Sequence, residues 1–232
     1  MRVLHLQCLR DLPDVPREIA GIRAAAGLAD GELTTIRPFD APVSPTLLDD
    51  AQGIVIGGSG WSAFHDIPFY EEFLALLTEA RRRRTPTFGI CFGAQTLVRL
   101  HDGVVVRDEA HAEYGTTDID LDPAAADDPL FSSMPKRFAA QSWHHDRIIE
   151  LPPGAAALAW SRSGVLQAFA FPGEPLYAVQ FHPERTAAAS RELFPIRCAK
   201  KPEWRDALLS GLRESPEATH LLKRFIDRFV RP

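Results

Sequence analysis

Apolar residues fall in short unbroken blocks through the first hundred positions. Val3-Leu4-His5-Leu6, Gly53-Ile54-Val55-Ile56 and Thr87-Phe88-Gly89-Ile90 are too short for helices. Their continuity predicts strands buried on both faces. A further short strand is expected within Gly31 to Pro38. Between these blocks the period changes. Glu18 to Ala29 reads as a helix closing at Gly27 or Gly31. Pro68 to Arg83 carries Phe69, Phe73, Leu74, Leu76 and Leu77 at helical spacing, with the proline at its start. A third helix runs from Cys91 to about His101. This alternation predicts an α/β protein with a three-layer, mostly parallel sheet covered by helices on both faces.

The second half changes character. Val104-Val105-Val106, Thr116 to Leu121, Arg137 to Ala140, Ala156 to Trp160, Leu166 to Phe171 and Tyr177 to Gln180 read as short strands between Pro, Gly and Asp turns. They predict a smaller antiparallel strand set. Glu203 to Val230 has apolar stripes at helical spacing. With no repeat, low-complexity tract or evident linker, residues 1–232 are expected to form a single domain.

Composition narrows the class. The 232 residues are 45% hydrophobic and 25% charged, with a net charge of −5. That balance speaks against nucleic-acid binding. The run Arg81 to Arg84 reads as a solvated helix end rather than a partner patch. No apolar run approaches a membrane span, and Met1 to Gln7 is no secretory signal. Cys8, Cys91 and Cys198 are too widely spaced for a disulfide framework or zinc ribbon. A reducing cytoplasm is the expected compartment.

The chemistry concentrates in Gly89-Ile90-Cys91-Phe92-Gly93, a G-x-[S/C]-x-G pattern between strand and helix. Such an elbow exposes a nucleophile at a sharp turn. The helix N-terminus is expected to lower the thiol pKa and to offer the Phe92 N–H to an oxyanion. Val179 to Glu184 supplies a base, His182, and a carboxylate, Glu184, to orient it. Gly57-Gly58 alone is a glycine turn; beside an elbow it can supply a second oxyanion donor. Ser142-Trp143-His144-His145-Asp146 invites a metal reading. Adjacent histidines on a strand point to opposite faces, so one lining a site and one structural fits better.

Taken together, these pieces resemble the class I, triad-type glutamine amidotransferases, and particularly the glutaminase part of GMP synthetase. The match runs in order through Val55 to Gly58, Gly89 to Gln95, Ala112 to Gly115, Ser142 to Asp146, Gln167 to Phe169 and Gln180 to Glu184. The resemblance implies a flavodoxin-like fold, a triad of Cys91, His182 and Glu184, and an oxyanion hole of Gly58 and Phe92 main chain. It implies substrate contacts at Gln95, Ser142, Trp143 and His144, and neither cofactor nor metal. The expected substrate is a small molecule, glutamine, whose side-chain amide would be hydrolysed through a cysteinyl thioester. Alternatives are a γ-glutamyl peptide or γ-glutamyl amide hydrolase with the same triad, and a non-catalytic interaction protein. Any ammonia acceptor would sit on a separate synthetase subunit, since no ATP-binding module is evident. Two departures stand out: Leu100 to Gly103 replaces a glycine pair, and the tail beyond Glu184 is long.

Overall fold

The computed structural model describes residues 1–9, 14–63, 68–199 and 202–231. The first strands are β1 (Val3–Leu6), β2 (Leu33–Ile36), β3 (Gly53–Ile56) and β4 (Thr87–Ile90). They alternate with α1 (Val15–Ala26), α2 (Tyr70–Arg82) and α3 (Phe92–Leu100). Then follow β5 (Val104–Arg107), β6 (Glu113–Leu121), β7 (Arg137–His144), β8 (Asp146–Glu150), β9 (Ala156–Ser161), β10 (Leu166–Ala170) and β11 (Leu176–Val179). The chain closes with α4 (Ala187–Arg197), α5 (Pro202–Ser210) and α6 (Pro216–Phe225).

Nine strands form one sheet in the order β2-β1-β3-β4-β11-β10-β9-β6-β7. From β2 to β11 every pairing is parallel, and from β11 to β7 every pairing is antiparallel. The antiparallel strands thus extend the main sheet; β5 and β8 form a separate pair. The parallel part has the flavodoxin-like order, in which ligands bind beyond the carboxyl ends of the strands near the switch between β1 and β3.

The unbroken apolar strands are explained by the two layers. Val3, Val55, Phe88, Ile90 and Val179 face one core with Ile22 of α1 and Leu221, Leu222 and Phe225 of α6. Leu4, Leu6, Ile54 and Ile56 face the other with Phe73, Leu76 and Leu77 of α2 and Leu97 of α3. Alternate side chains therefore serve opposite cores, so no position is free to be polar. Besides Thr87 at the start of β4, His5 departs from this pattern. It shares the parity of Val3 and is fully buried in the α1 layer.

Several expectations need adjusting. Two elements were not anticipated, β8 and α4; α4 carries Pro195 inside it. The expected helix Glu203 to Val230 is broken into α5 and α6 around Gly211 and Pro216, and its last turn, Ile226–Val230, is a π-helix. Asp102 takes a left-handed φ of 67° within the segment that replaces the expected glycine pair, a conformation Asp tolerates. The basic run is tied down within the chain: Arg81 forms a bidentate pair with Glu174 at 2.8 Å, and Arg82 and Arg83 share Glu79.

Candidate active site

Cys91 stands between β4 and α3 with φ 51° and ψ −100°. A non-glycine residue with positive φ costs on the order of 1–3 kcal/mol, and such strain gathers at functional sites. The surrounding sequence makes the turn possible. A Cβ at Gly93 would lie 2.5 Å from the Ile56 carbonyl oxygen, and one at Gly89 would lie 2.8 Å from the Gly93 carbonyl carbon. Only hydrogen fits at either position. The Cys91 N–H donates to Val179 O at 2.8 Å, so the elbow is pinned to the end of β11.

That strand end carries the rest of the chemistry. β11 pairs with β4 in parallel, Val179 opposite Ile90. Gln180 and His182 therefore leave the sheet beside Cys91. Gln180 Nε2 donates to Cys91 Sγ at 3.6 Å, and Gln95 on α3 orients Gln180 by donating to its Oε1 at 3.2 Å. His182 Nδ1 lies 2.7 Å from Glu184 Oε1. With Glu184 ionised, Nδ1 carries the proton and Nε2 is left as the basic nitrogen. Burial raises the Glu184 carboxyl, but His182 and Arg185 outweigh it and hold it below its usual range.

The thiol does not follow the sequence expectation. Burial pushes Cys91 up to about 12; Arg185 and the Phe92 N–H oppose this, while the Glu184 and Asp146 charges add to it. The helix N-terminus is present but loses to desolvation. Burial also lowers His182 to about 4, with Arg185 adding to the shift. Burial thus favours the neutral thiol and the neutral imidazole in the resting site.

Of the expected oxyanion donors, the Phe92 N–H points at the sulfur. Gly58 sits close to the triad, where a Cβ would lie 3.1 Å from His182 Cε1. Its N–H, however, donates to Glu18 Oε1 at 2.9 Å, and the Gly57 N–H donates to Leu6 O at 3.0 Å.

The remaining expected contacts divide. Ser142 and His144 share one face of β7 and are buried. The Ser142 hydroxyl lacks a hydrogen-bond partner among the described residues. His144 Nε2 faces Glu113 Oε2 at 3.2 Å, and Gln167 Nε2 donates to the same oxygen at 2.6 Å. Trp143 is on the opposite face, packed against Tyr114 and Phe194 with Arg197 over its ring at 5.1 Å. His145 faces Asp146 at 3.4 Å.

Sequence reasoning missed three residues here: Gln180, Arg185 and Glu18. Arg185 is a largely buried cation 3.9 Å from Glu184. Glu18 reaches the site because α1 can approach it. A Cβ at Gly21, one turn on, would lie 2.5 Å from the Glu184 carbonyl oxygen. A cavity of about 740 Å³ lies behind this contact, lined by Glu18, Gly21, Glu184, Arg185 and Arg197 but not by Cys91 or His182.

The family model "Glutamine amidotransferase class-I" matches residues 24–198. A GMP synthase [glutamine-hydrolyzing] from Thermosipho melanesiensis is 31% identical over 157 residues, 67% of this chain but 28% of that enzyme. The chain thus spans well under half the length of that relative. A glutamine amidotransferase structure from Thermotoga maritima superposes with a TM-score of 0.79 at 21% identity, covering 100% of this chain and 99% of that one. One from Methylobacillus flagellatus gives 0.73 at 21% identity, covering 100% and 96%. The family match spans the elbow and the His182-Glu184 segment, and the two superpositions share its fold: this chain belongs to the class-I glutamine amidotransferase family.

Proposed function

We propose that the chain hydrolyses the side-chain amide of glutamine through a thioester on Cys91. The observation that carries this reading is the placement of a strained cysteine and a carboxylate-held histidine at the ends of two paired strands. Cys91 Sγ attacks the amide carbon while its proton passes to His182 Nε2. The Phe92 N–H takes the negative charge that develops on the amide oxygen. Collapse breaks the C–N bond, and His182 returns the proton so that ammonia leaves. Water then attacks the thioester, again giving a proton to His182, and glutamate departs as the thiol is restored. Glu184 keeps the imidazole in the required tautomer. Gln95, Ser142 and His144 offer polar groups for the amino-acid end of the substrate, and Trp143 closes the far side of β7.

The ammonia acceptor is proposed to belong to a separate synthetase. The matched GMP synthase has 28% of its length in the shared region, which leaves the larger part for other chemistry. The test is an ammonia- and glutamate-release screen over glutamine, γ-glutamyl dipeptides and γ-glutamyl amines. Turnover of glutamine, abolished in Cys91→Ala, is expected. Turnover of dipeptides or amines in preference to glutamine would replace this reading with that of a γ-glutamyl hydrolase.

A further inference from the structure

Glu18 lies outside the triad, yet it holds the backbone group that the reaction needs. Its Oε1 accepts from the Gly58 N–H at 2.9 Å, and its Oε2 accepts from Gln7 Nε2 at 2.9 Å. Gln7 is fixed in turn, since its Oε1 accepts from Arg37 Nε at 3.0 Å. The carboxylate lies over the glycine turn so closely that a Cβ at Gly57 would meet Oε1 at 2.8 Å. One N–H carries one hydrogen. While Glu18 holds it, that hydrogen is withheld from an oxyanion at Cys91.

We propose that Glu18 is a positioning residue that clasps the Gly58 N–H and withdraws the second oxyanion donor until the developing oxyanion displaces the carboxylate. This rests on the glutaminase reading above. A carboxylate acceptor is roughly twice as strong as a neutral one, so the clasp weakens when Glu18 is protonated. Titratable and charged groups from two parts of the chain face Glu18. From β1 and its end come His5, with Nε2 3.7 Å from Glu18 Oε2, and Cys8; from the loop after β11 come Glu184 and Arg185. Burial, with the Glu184 charge adding to it, pushes the Glu18 carboxyl up to about 8; Gln7, Gly58 and Arg185 oppose the shift. His5 Nε2 is buried without a hydrogen-bond partner among the described residues, and burial lowers its imidazole to about 3, so it stays neutral beside Glu18 and offers the carboxylate no compensating charge. The clasp therefore tightens as pH rises through about 8.

The test compares wild type with Glu18→Gln in three measurements. These are glutamine turnover, iodoacetamide alkylation of Cys91 (which needs no oxyanion hole), and hydrogen exchange at the Gly58 amide. A neutral acceptor loses about half of a charge-assisted bond, which corresponds to roughly a tenfold gain in available donor. At about pH 9, where wild-type Glu18 is ionised, we expect faster Gly58 exchange in Glu18→Gln, a kcat about tenfold higher, and alkylation within twofold of wild type. Faster exchange with unchanged or lower kcat, at unchanged alkylation, would overturn the clasp as a gate. No turnover in either protein, with Cys91 still alkylated, would overturn the glutaminase reading and the gate with it, leaving Gly58 exchange to report a structural contact. Should Glu18→Gln not fold, wild type alone decides: between about pH 7 and 9 the Gly58 amide, corrected for the intrinsic rise of amide exchange with pH, must become more protected while kcat falls, and protection or kcat that fails to change in that direction refutes the proposal.

Discussion

At the scale of single residues, burial decides the chemistry. Cys91 is a nucleophile candidate by position, yet it is 6% exposed and its thiol is held protonated at neutral pH. The expected consequence is an alkylation rate that keeps climbing through pH 9 and does not level off near pH 7; a plateau near neutrality would show a thiolate already formed. The same burial leaves His182 neutral, which is the form a base requires. The elbow and the His-Pro-Glu segment were readable in the sequence because their residue types and spacing are local. Glu18, Gln180 and Arg185 were not. Glu18 looks like an ordinary first-turn acid on an amphipathic helix. Only the approach of Gly21 to Glu184, which no local pattern encodes, turns that acid toward Gly58.

At the scale of elements, strands with one apolar block each were legible because both faces are buried. Helix α2 was legible for the opposite reason, a clean division between Phe73, Leu76, Leu77 and Ala80 inside and charged residues outside. Helix α4 was hidden by Pro195, which sits within it near its C-terminal end. Strand β8 was hidden by its mixed pattern, Asp146 to Glu150, which belongs to a two-stranded pair at the edge of the core. The long final helix was an error of continuity: the stripes on either side of Gly211 and Pro216 are real, but they belong to separate helices. The strand-to-helix junction at Cys91 has its own test. Gly93→Ala pushes a Cβ into the Ile56 carbonyl and should destabilise the protein by about 1–3 kcal/mol, lowering its unfolding midpoint by roughly 2–12 °C. Gly60→Ala, with nothing within 4 Å of its Cβ, serves as the control and should lie within about 0.5 kcal/mol of wild type. Equal effects at the two positions would show that close packing at the elbow is not what holds it.

At the scale of the whole molecule, the site is a product of topology. The 2-1-3-4-11 order sets the ends of β1, β3, β4 and β11 side by side. Those ends deliver Gln7, the Gly57-Gly58 turn, Cys91 and His182 to one edge of the sheet. The antiparallel extension brings β7 in from the other side, where the His182 N–H donates to Gln141 O at 2.8 Å. The motif pieces scattered through the second half, Glu113, His144 and Gln167, prove to be one buried network that braces this extension. The central claim is that Cys91 carries the acyl group during glutamine hydrolysis. Its most direct test is acid quenching of the protein during turnover of glutamine, followed by peptide mass spectrometry. A γ-glutamyl adduct on the Cys91 peptide, removed by hydroxylamine, is the result predicted. Glutamate release with no such adduct under single-turnover quenching, or an adduct on Cys8 or Cys198, would contradict it.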